Sequence, residues 1–347
     1  SVWGDACVFI PLSLYHNFGD KAVLSENFEM MKKWMEYIAA VSDTKPENWD
    51  SLNDEQKERN KYLWTKGFHF GDWLIPSLRE RPDGVMLGVM ETAQVVGACA
   101  YAIVTEGFIE VCRALGEDAL ASEYEELLKK IRAAICAEFV AEDGRVNNSD
   151  LQGNYVMILK AGACEGPLKE KVLDYLVKLI EANKGCLDTG FSSVSHLLDV
   201  LYDNGRKDIA YKLLWQTEAP SWLYMVKMGA TTIWENWKAV LPDGTTTDSS
   251  YNHYAFGCVG EWMYRHMGGI KALAPGFSAV RIEPDTDCGL KECSLSRSTE
   301  YGEISCSWKL NGNNADICAV IPEGVTAELV INNETRKVSA GTYNYTV

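Results

Sequence analysis

The sequence predicts a mainly helical protein, a toroid of helices in two layers, followed by a small antiparallel β-sandwich. Three observations carry that reading. Apolar residues recur at three- and four-residue steps over 28–41, 92–115, 124–140, 168–180 and 209–215, the period of an amphipathic helix. Some segments (91–108, 251–267) are apolar nearly all round, while others (117–138) are polar on one face, so buried and half-buried helices alternate. After Pro275 the period switches to two.

The elements follow in order. Gly116, Gly185 and Gly205 stand just after periodic runs, where a left-handed C′ residue belongs, and Asp20 and Ser122 are N-cap candidates. A polar insert spans 42–66, with a short helix expected in 53–62. In the tail, 280–283, 303–308, 316–321 and 328–331 read as short strands separated by Gly302, Asn311-Gly312-Asn313 and Pro322-Glu323-Gly324. The expected division is a helical domain over 1–270 and a β-sandwich domain over 271–347. No internal repeat or low-complexity tract is present.

Composition narrows the function classes. With 347 residues, 47% hydrophobic and 24% charged, the chain can bury a large core. Lys plus Arg number 33 against 49 Asp plus Glu, a net charge of −16, which disfavours a nucleic-acid partner. No apolar run is expected to approach the ~20 residues needed to span a bilayer. The eleven cysteines are scattered, odd in number and never form Cys-x-x-Cys, so neither a zinc site nor a disulfide framework is expected, and a reducing, cytoplasmic setting is favoured. The histidines show no His-x-x-x-His pairing; no metal or other cofactor is expected. Nucleophile and phosphate-loop motifs are also missing.

What remains is carboxylate chemistry among aromatic rings. Gly229-Ala230-Thr231-Thr232-Ile233-Trp234-Glu235-Asn236-Trp237 places one carboxylate between two indoles, and Asn252-His253-Tyr254-Ala255-Phe256-Gly257 follows. Partial desolvation can tune a Glu for proton transfer, and indole faces suit the C–H faces of a sugar. The plain alternative is a buried, hydrogen-bonded Glu in an aromatic core. Further acid–aromatic clusters, Trp3-Gly4-Asp5 and Phe70-Gly71-Asp72-Trp73, sit at segment ends, where loops on one rim of a toroid assemble a ligand site. Asp5 and Asp72 could equally be helix caps, Trp3 and Trp73 core aromatics, and His253 a satisfied hydrogen-bonding group. The combination points to glycoside hydrolysis.

These motifs, with Leu201-Tyr202-Asp203-Asn204-Gly205 and Ser221-Trp222-Leu223-Tyr224-Met225, occur in this order in the α-L-rhamnosidases of glycoside hydrolase family 78, which the chain resembles over nearly its whole length. The resemblance implies an (α/α)6 barrel and inverting hydrolysis of terminal α-L-rhamnose from rhamnose-containing glycosides. Glu235 falls on the general base. Trp3 and Trp73 match aromatic residues of the rhamnose pocket and His253 a sugar-hydroxyl partner. Asp5 and Asp72 match motif acids, and Trp234 belongs to the same substrate-binding set. The family's general acid lies in an Asp-x-Pro-x-Arg-x-Glu segment that does not occur here, so the chain is expected to be a C-terminal portion with an incomplete barrel, little activity alone and a drive to self-associate through uncovered apolar faces. Two other readings stay open: another (α/α)6 sugar hydrolase, trehalase-like or debranching-like, and a non-catalytic carbohydrate-binding module.

Overall fold

Twelve α-helices precede eight strands in the computed structural model, which describes residues 1–347. The helices are α1 (Ala6–Phe18), α2 (Ala22–Ser42), α3 (Asp54–Asn60), α4 (Pro76–Arg79), α5 (Gly84–Leu115), α6 (Asp118–Phe139), α7 (Gln152–Lys160), α8 (Gly166–Ala182), α9 (Phe191–Asp203), α10 (Lys207–Leu214), α11 (Trp222–Lys227) and α12 (Val259–His266). The strands are β1 (Ile270–Ala272), β2 (Ala279–Ile282), β3 (Glu292–Thr299), β4 (Gly302–Asn311), β5 (Asn314–Ile321), β6 (Thr326–Ile331), β7 (Glu334–Val338) and β8 (Gly341–Thr346). Two compact units result: Ser1–Phe9 with Phe28–Cys258, and Ile10–Asn27 with Val259–Val347.

In the first unit, α7 packs on both α5 and α9, and each of the three is backed by the next helix in sequence, α6, α8 or α10. The sequence explains the layering. Every α7 residue from Gln152 to Leu159 is buried, whereas α8 buries only Val172, Leu173, Leu176, Val177 and Ile180, one stripe of an amphipathic helix. Burying each such side chain contributes about 1.5–3 kcal/mol, so the stripe alone fixes which face of α8 turns inward. One expectation needs correcting. Helix α5 is long and apolar enough to cross a bilayer by composition, but 78% of its most apolar window is buried among its neighbours, as in a core helix. A second correction concerns Ser122, which lies inside α6 and turns its hydroxyl to the Asp118 carbonyl, 3.0 Å away; α6 starts one turn earlier than the apolar period suggests. The short helix expected in the polar insert is α3, held by a reciprocal capping box between Asn53 and Gln56.

The second unit contains two four-stranded sheets, β1-β2-β6-β7 and β3-β4-β5-β8. Alternation drives the second sheet: Ile304, Cys306 and Trp308 of β4 and Ala315, Ile317, Ala319 and Ile321 of β5 are buried while their neighbours face outward. Pairing is antiparallel except between β2 and β6, which run parallel because β3, β4 and β5 intervene in the other sheet before the chain returns. Strand β3 escaped the sequence reading because Ser294, Ser296 and Ser298 occupy its outer face, leaving little apolar contrast. Residues 10–27 group with the sheets, since Gly19 lies against Gly276 (3.5 Å from a Cβ built on Gly19 to the Gly276 Cα) and Asn17 accepts a hydrogen bond from Arg297.

Two glycines test the packing. A Cβ on Gly190, just before α9, would lie 2.4 Å from the Trp73 carbonyl oxygen and 2.5 Å from that of Asp72, backbone atoms that cannot swing aside. A Cβ on Gly260 in α12 meets nothing within 4 Å. Gly190→Ala is therefore expected to destabilise by about 1–3 kcal/mol. Gly260→Ala is expected to stabilise by about 0.5–1 kcal/mol, and urea unfolding midpoints read both.

Candidate active site

The Glu235 motif lies on a long excursion between α11 and α12. Its two arms are zipped together by backbone hydrogen bonds from His253 to Ile233 (2.8 Å) and from Glu235 to Ser250 (2.9 Å), with a further bridge between Val240 and Thr246. Aromatic packing anchors the base. Trp237 stacks on Phe256 with ring centroids 3.8 Å apart and meets Trp222 edge-on at 5.3 Å, and the Trp222 indole donates to the Phe256 carbonyl at 2.8 Å. Such pairs add about 0.5–1.5 kcal/mol each beyond area burial, which lets a segment with little regular structure hold one shape.

Glu235 itself is half-buried and lines a cavity of about 580 Å³. Its Oε2 accepts from the Ser250 amide at 2.9 Å, a contact that fixes the carboxylate from behind. Arg79, Asp188, Trp237, Lys238 and Asp248 share the cavity wall. Burial pulls the Arg79 guanidinium below its usual pKa, and the nearby Glu235 and Asp248 carboxylates oppose that shift. Lys238 is neutralised by Glu80 at 2.5 Å. Asp188 went unnoticed in the sequence. Its carboxylate accepts from the Ser77 amide (2.8 Å) and hydroxyl (2.7 Å), securing the start of α4, and burial raises its pKa against those two hydrogen bonds. The available signal was Asp188-Thr189-Gly190 directly before a periodic run, but its partner lies 111 residues away.

The aromatic residues form a row. Trp3 meets Phe70 at 4.9 Å, Phe70 meets Trp73 at 5.3 Å, and the Trp73 carbonyl accepts the Phe191 amide at 2.9 Å. Phe191 lies 5.0 Å from the His253 ring, which stacks in turn on Tyr254 at 5.1 Å. Trp3 is 43% exposed and Phe70 41%, an unusual display for large aromatics that the sequence reading credited to Trp3 and Trp73 alone. His253 Nδ1 accepts the Ala255 amide at 3.2 Å, so the neutral ring carries its proton on Nε2. The row is joined through the chain to the cavity, because Leu74 lines the cavity beside Trp73 and Ile233 pairs with His253. Trp3, Trp73 and His253 are not among the residues lining the cavity itself.

Three expected substrate-binding residues lie elsewhere. Asp5 is buried, its Oδ1 accepting the Trp34 indole at 2.9 Å and its Oδ2 the Val2 amide at 2.6 Å; burial raises its pKa against these contacts. Trp234 is buried and packs edge-on to Tyr251. Asp72 is fully buried, and its carboxylate accepts the Gly190 amide (2.8 Å), the Ser193 amide (3.0 Å) and the Ser193 hydroxyl (2.6 Å). It caps α9 from more than a hundred residues away. Acids beside indoles look alike in sequence whether they face a sugar or a neighbouring helix. In the fold their oxygens and rings are committed to packing.

A two-layered helical unit carries the Glu235 cavity and the exposed aromatic residues, and paired sheets make up the second unit. Residues 1–267 match the model of the bacterial α-L-rhamnosidase six-hairpin glycosidase domain and residues 269–345 that of the bacterial α-L-rhamnosidase C-terminal domain, and the chain belongs to this family. It is 32% identical over 332 residues to an α-L-rhamnosidase of Streptomyces avermitilis, covering 95% of this chain and 29% of the relative. A Formosa agariphila α-L-rhamnosidase is 31% identical over 345 residues, covering 97% of this chain and 35% of the relative. The chain thus spans about a third of the length of the curated relatives it matches. Among solved structures, the S. avermitilis enzyme complexed with L-rhamnose superposes with a TM-score of 0.83 at 29% identity, covering 99% of this chain and 32% of that one. The Aspergillus terreus enzyme superposes with a TM-score of 0.86 at 29% identity, covering 100% and 39%.

Asp72 gives a test of this scaffold. Removing its carboxylate in Asp72→Ala leaves three buried donors without an acceptor, an expected loss of about 3–5 kcal/mol in urea unfolding. Burial raises the Asp72 pKa to about 6, against hydrogen bonds that lower it. A raised carboxyl pKa favours the folded state most below the unfolded value. That contribution should fade as pH rises through about 6, and the slope should vanish in Asp72→Asn.

Proposed function

We propose that this chain carries the base side and the sugar-binding rim of an α-L-rhamnosidase site, with Glu235 as the general base of an inverting hydrolysis. The observation that carries the reading is the placement of Glu235: its carboxylate is gripped by the Ser250 amide yet lines an open cavity, while both indoles that bracket it in sequence are buried, Trp237 against the cavity wall. A base must present a fixed oxygen to a water molecule, and a carboxylate held by one amide retains the lone pairs to do so. In the proposed step Glu235 takes a proton from water attacking the anomeric carbon. The acid on the other side of the sugar would stand roughly 6.5–9.5 Å from it, leaving room for that water.

Rhamnose would rest against the aromatic row. Its ring face and 6-methyl group suit Trp3 and Trp73, and the Nε2 proton of His253 suits a sugar hydroxyl. The S. avermitilis relative solved with L-rhamnose supports this choice of sugar. No Asp-x-Pro-x-Arg-x-Glu run occurs in residues 1–347, so in this reading the proton for the leaving oxygen comes from a part of the enzyme outside them. Exposed Ile10, Leu14 and Phe18, three successive turns along α1, are where further chain or a second copy would be accommodated.

Glu235→Gln in the full-length enzyme is expected to lower kcat on p-nitrophenyl α-L-rhamnoside by ~10²–10⁴-fold with little change in KM. Turnover within a few-fold of wild type would refute the base assignment. The 347 residues assayed alone are expected to hydrolyse the same substrate poorly while rhamnose still shifts indole fluorescence, a shift that Trp3→Ala should diminish. Brisk turnover of the rhamnoside by the purified chain would refute the expectation of an acid outside it, and release of sugar from other aryl glycosides would point instead to another sugar hydrolase.

A further inference from the structure

A pair of thiols lies apart from everything the site uses. Neither Cys136 nor Cys164 is in a disulfide. Cys136 sits half-exposed near the end of α6, one helical turn after Arg132, and both face the turn that joins α7 to α8. Arg132 secures that face, its Nε donating to the Ala161 carbonyl at 2.8 Å and its Nη2 bonding Glu106 at 2.8 Å. The turn then passes through Gly162, at φ +64°, to the buried Cys164, whose sulfur lies 3.3 Å from that of Cys136. A disulfide needs the sulfurs at about 2.05 Å, a small closure for side chains already aimed at each other.

We propose that Cys136 and Cys164 form a reversible modification site for low-molecular-weight disulfides such as oxidised glutathione, ending in an intramolecular cross-link. The accessible Cys136 thiolate attacks one sulfur of the small disulfide; a bond forms to that sulfur and its partner leaves as a thiolate. Cys164 then loses its proton to solvent and attacks the Cys136 sulfur, expelling the second small thiolate. The two protein thiols are oxidised by two electrons and the disulfide is reduced to two thiols.

The local chemistry suits this order. The hydrogen bond with Cys164 draws the Cys136 thiol down to about 7 against burial, so much of it is thiolate near neutral pH. The same bond, followed by burial, raises the Cys164 pKa. Once Cys136 is a mixed disulfide its charge and its acceptor role disappear, which removes the largest barrier to ionising Cys164. The finished bridge ties two neighbouring helical hairpins, α5–α6 and α7–α8, across a separation of 28 residues. Closing such a loop restrains the unfolded chain, and the thermal midpoint should rise, on the order of 5 °C.

The test treats the folded chain with increasing oxidised glutathione and maps its peptides by mass. The expected result is loss of two hydrogens, a linked Cys136–Cys164 peptide, a raised thermal midpoint, and reversal by dithiothreitol. Cys164→Ser should stop at one glutathione adduct on Cys136, and Cys136→Ser should yield neither adduct nor link at Cys164. Peptide mapping of the wild-type chain stands even if a variant folds poorly. A folded chain that keeps both residues as thiols, or that joins Cys164 to the neighbouring Cys99 instead, overturns the proposal.

Discussion

The carboxylate of Asp72 is the constraint on which the arrangement around the site depends. The first turn of α9 has amide groups without partners, and no side chain near Gly190 supplies an acceptor. Asp72 supplies two, and its neighbours continue the seam: the Ser192 hydroxyl donates to Gly71 and the Phe191 amide to Trp73. On the other side the Asp72 amide donates to the Thr92 hydroxyl of α5, at 2.8 Å. One buried acid thus joins two inner helices and fixes Trp73 beside Phe191, and through Phe191 beside His253. The seam leaves no room for larger residues. A Cβ on Gly153 would fall 2.0 Å from Asp72 Oδ2, and one on Gly71 would fall 2.4 Å from Thr92 Oγ1.

The site is therefore built on two principles of different strength. The inner helices are specified by burial, which is non-directional and tolerates exchange among apolar residues. The Glu235 excursion has little regular secondary structure and relies on ring packing of Trp222, Trp237 and Phe256 with backbone links across its arms. Segments of this second kind carry function because their side chains need not serve a helix or a sheet. They also demand particular residues, since a ring stacked at 3.8 Å has no equivalent among aliphatic side chains.

How much could be read beforehand follows from the same division. The 3.6-residue period disclosed α2, α5, α6, α8 and α10, and the exchange of fully buried for striped helices disclosed the two layers. Helix α7 went unlisted because uniform burial has no period, and β3 because serines fill its outer face. Trp3, Trp73, Glu235 and His253 were recognisable as chemistry-bearing types, and the fold links Trp3 to Trp73 through the Phe70 ring and Trp73 to Phe191, beside His253, through the backbone. Asp5, Asp72 and Trp234 look equally suitable in the sequence, yet their partners are Trp34, α9 and Tyr251.

By itself the sequence determined the helical layers, the strand-rich tail and the family, because each rests on local period or on motif order along the chain. Only the tertiary structure decided which acids face a cavity and which tie helices together, and that residues 10–27 group with the sheets. The physical reason is range. A helix period is written within about two turns of chain, whereas the acceptor for α9, the cap of α4 and the surroundings of Glu235 are set by groups brought together across tens to more than a hundred residues.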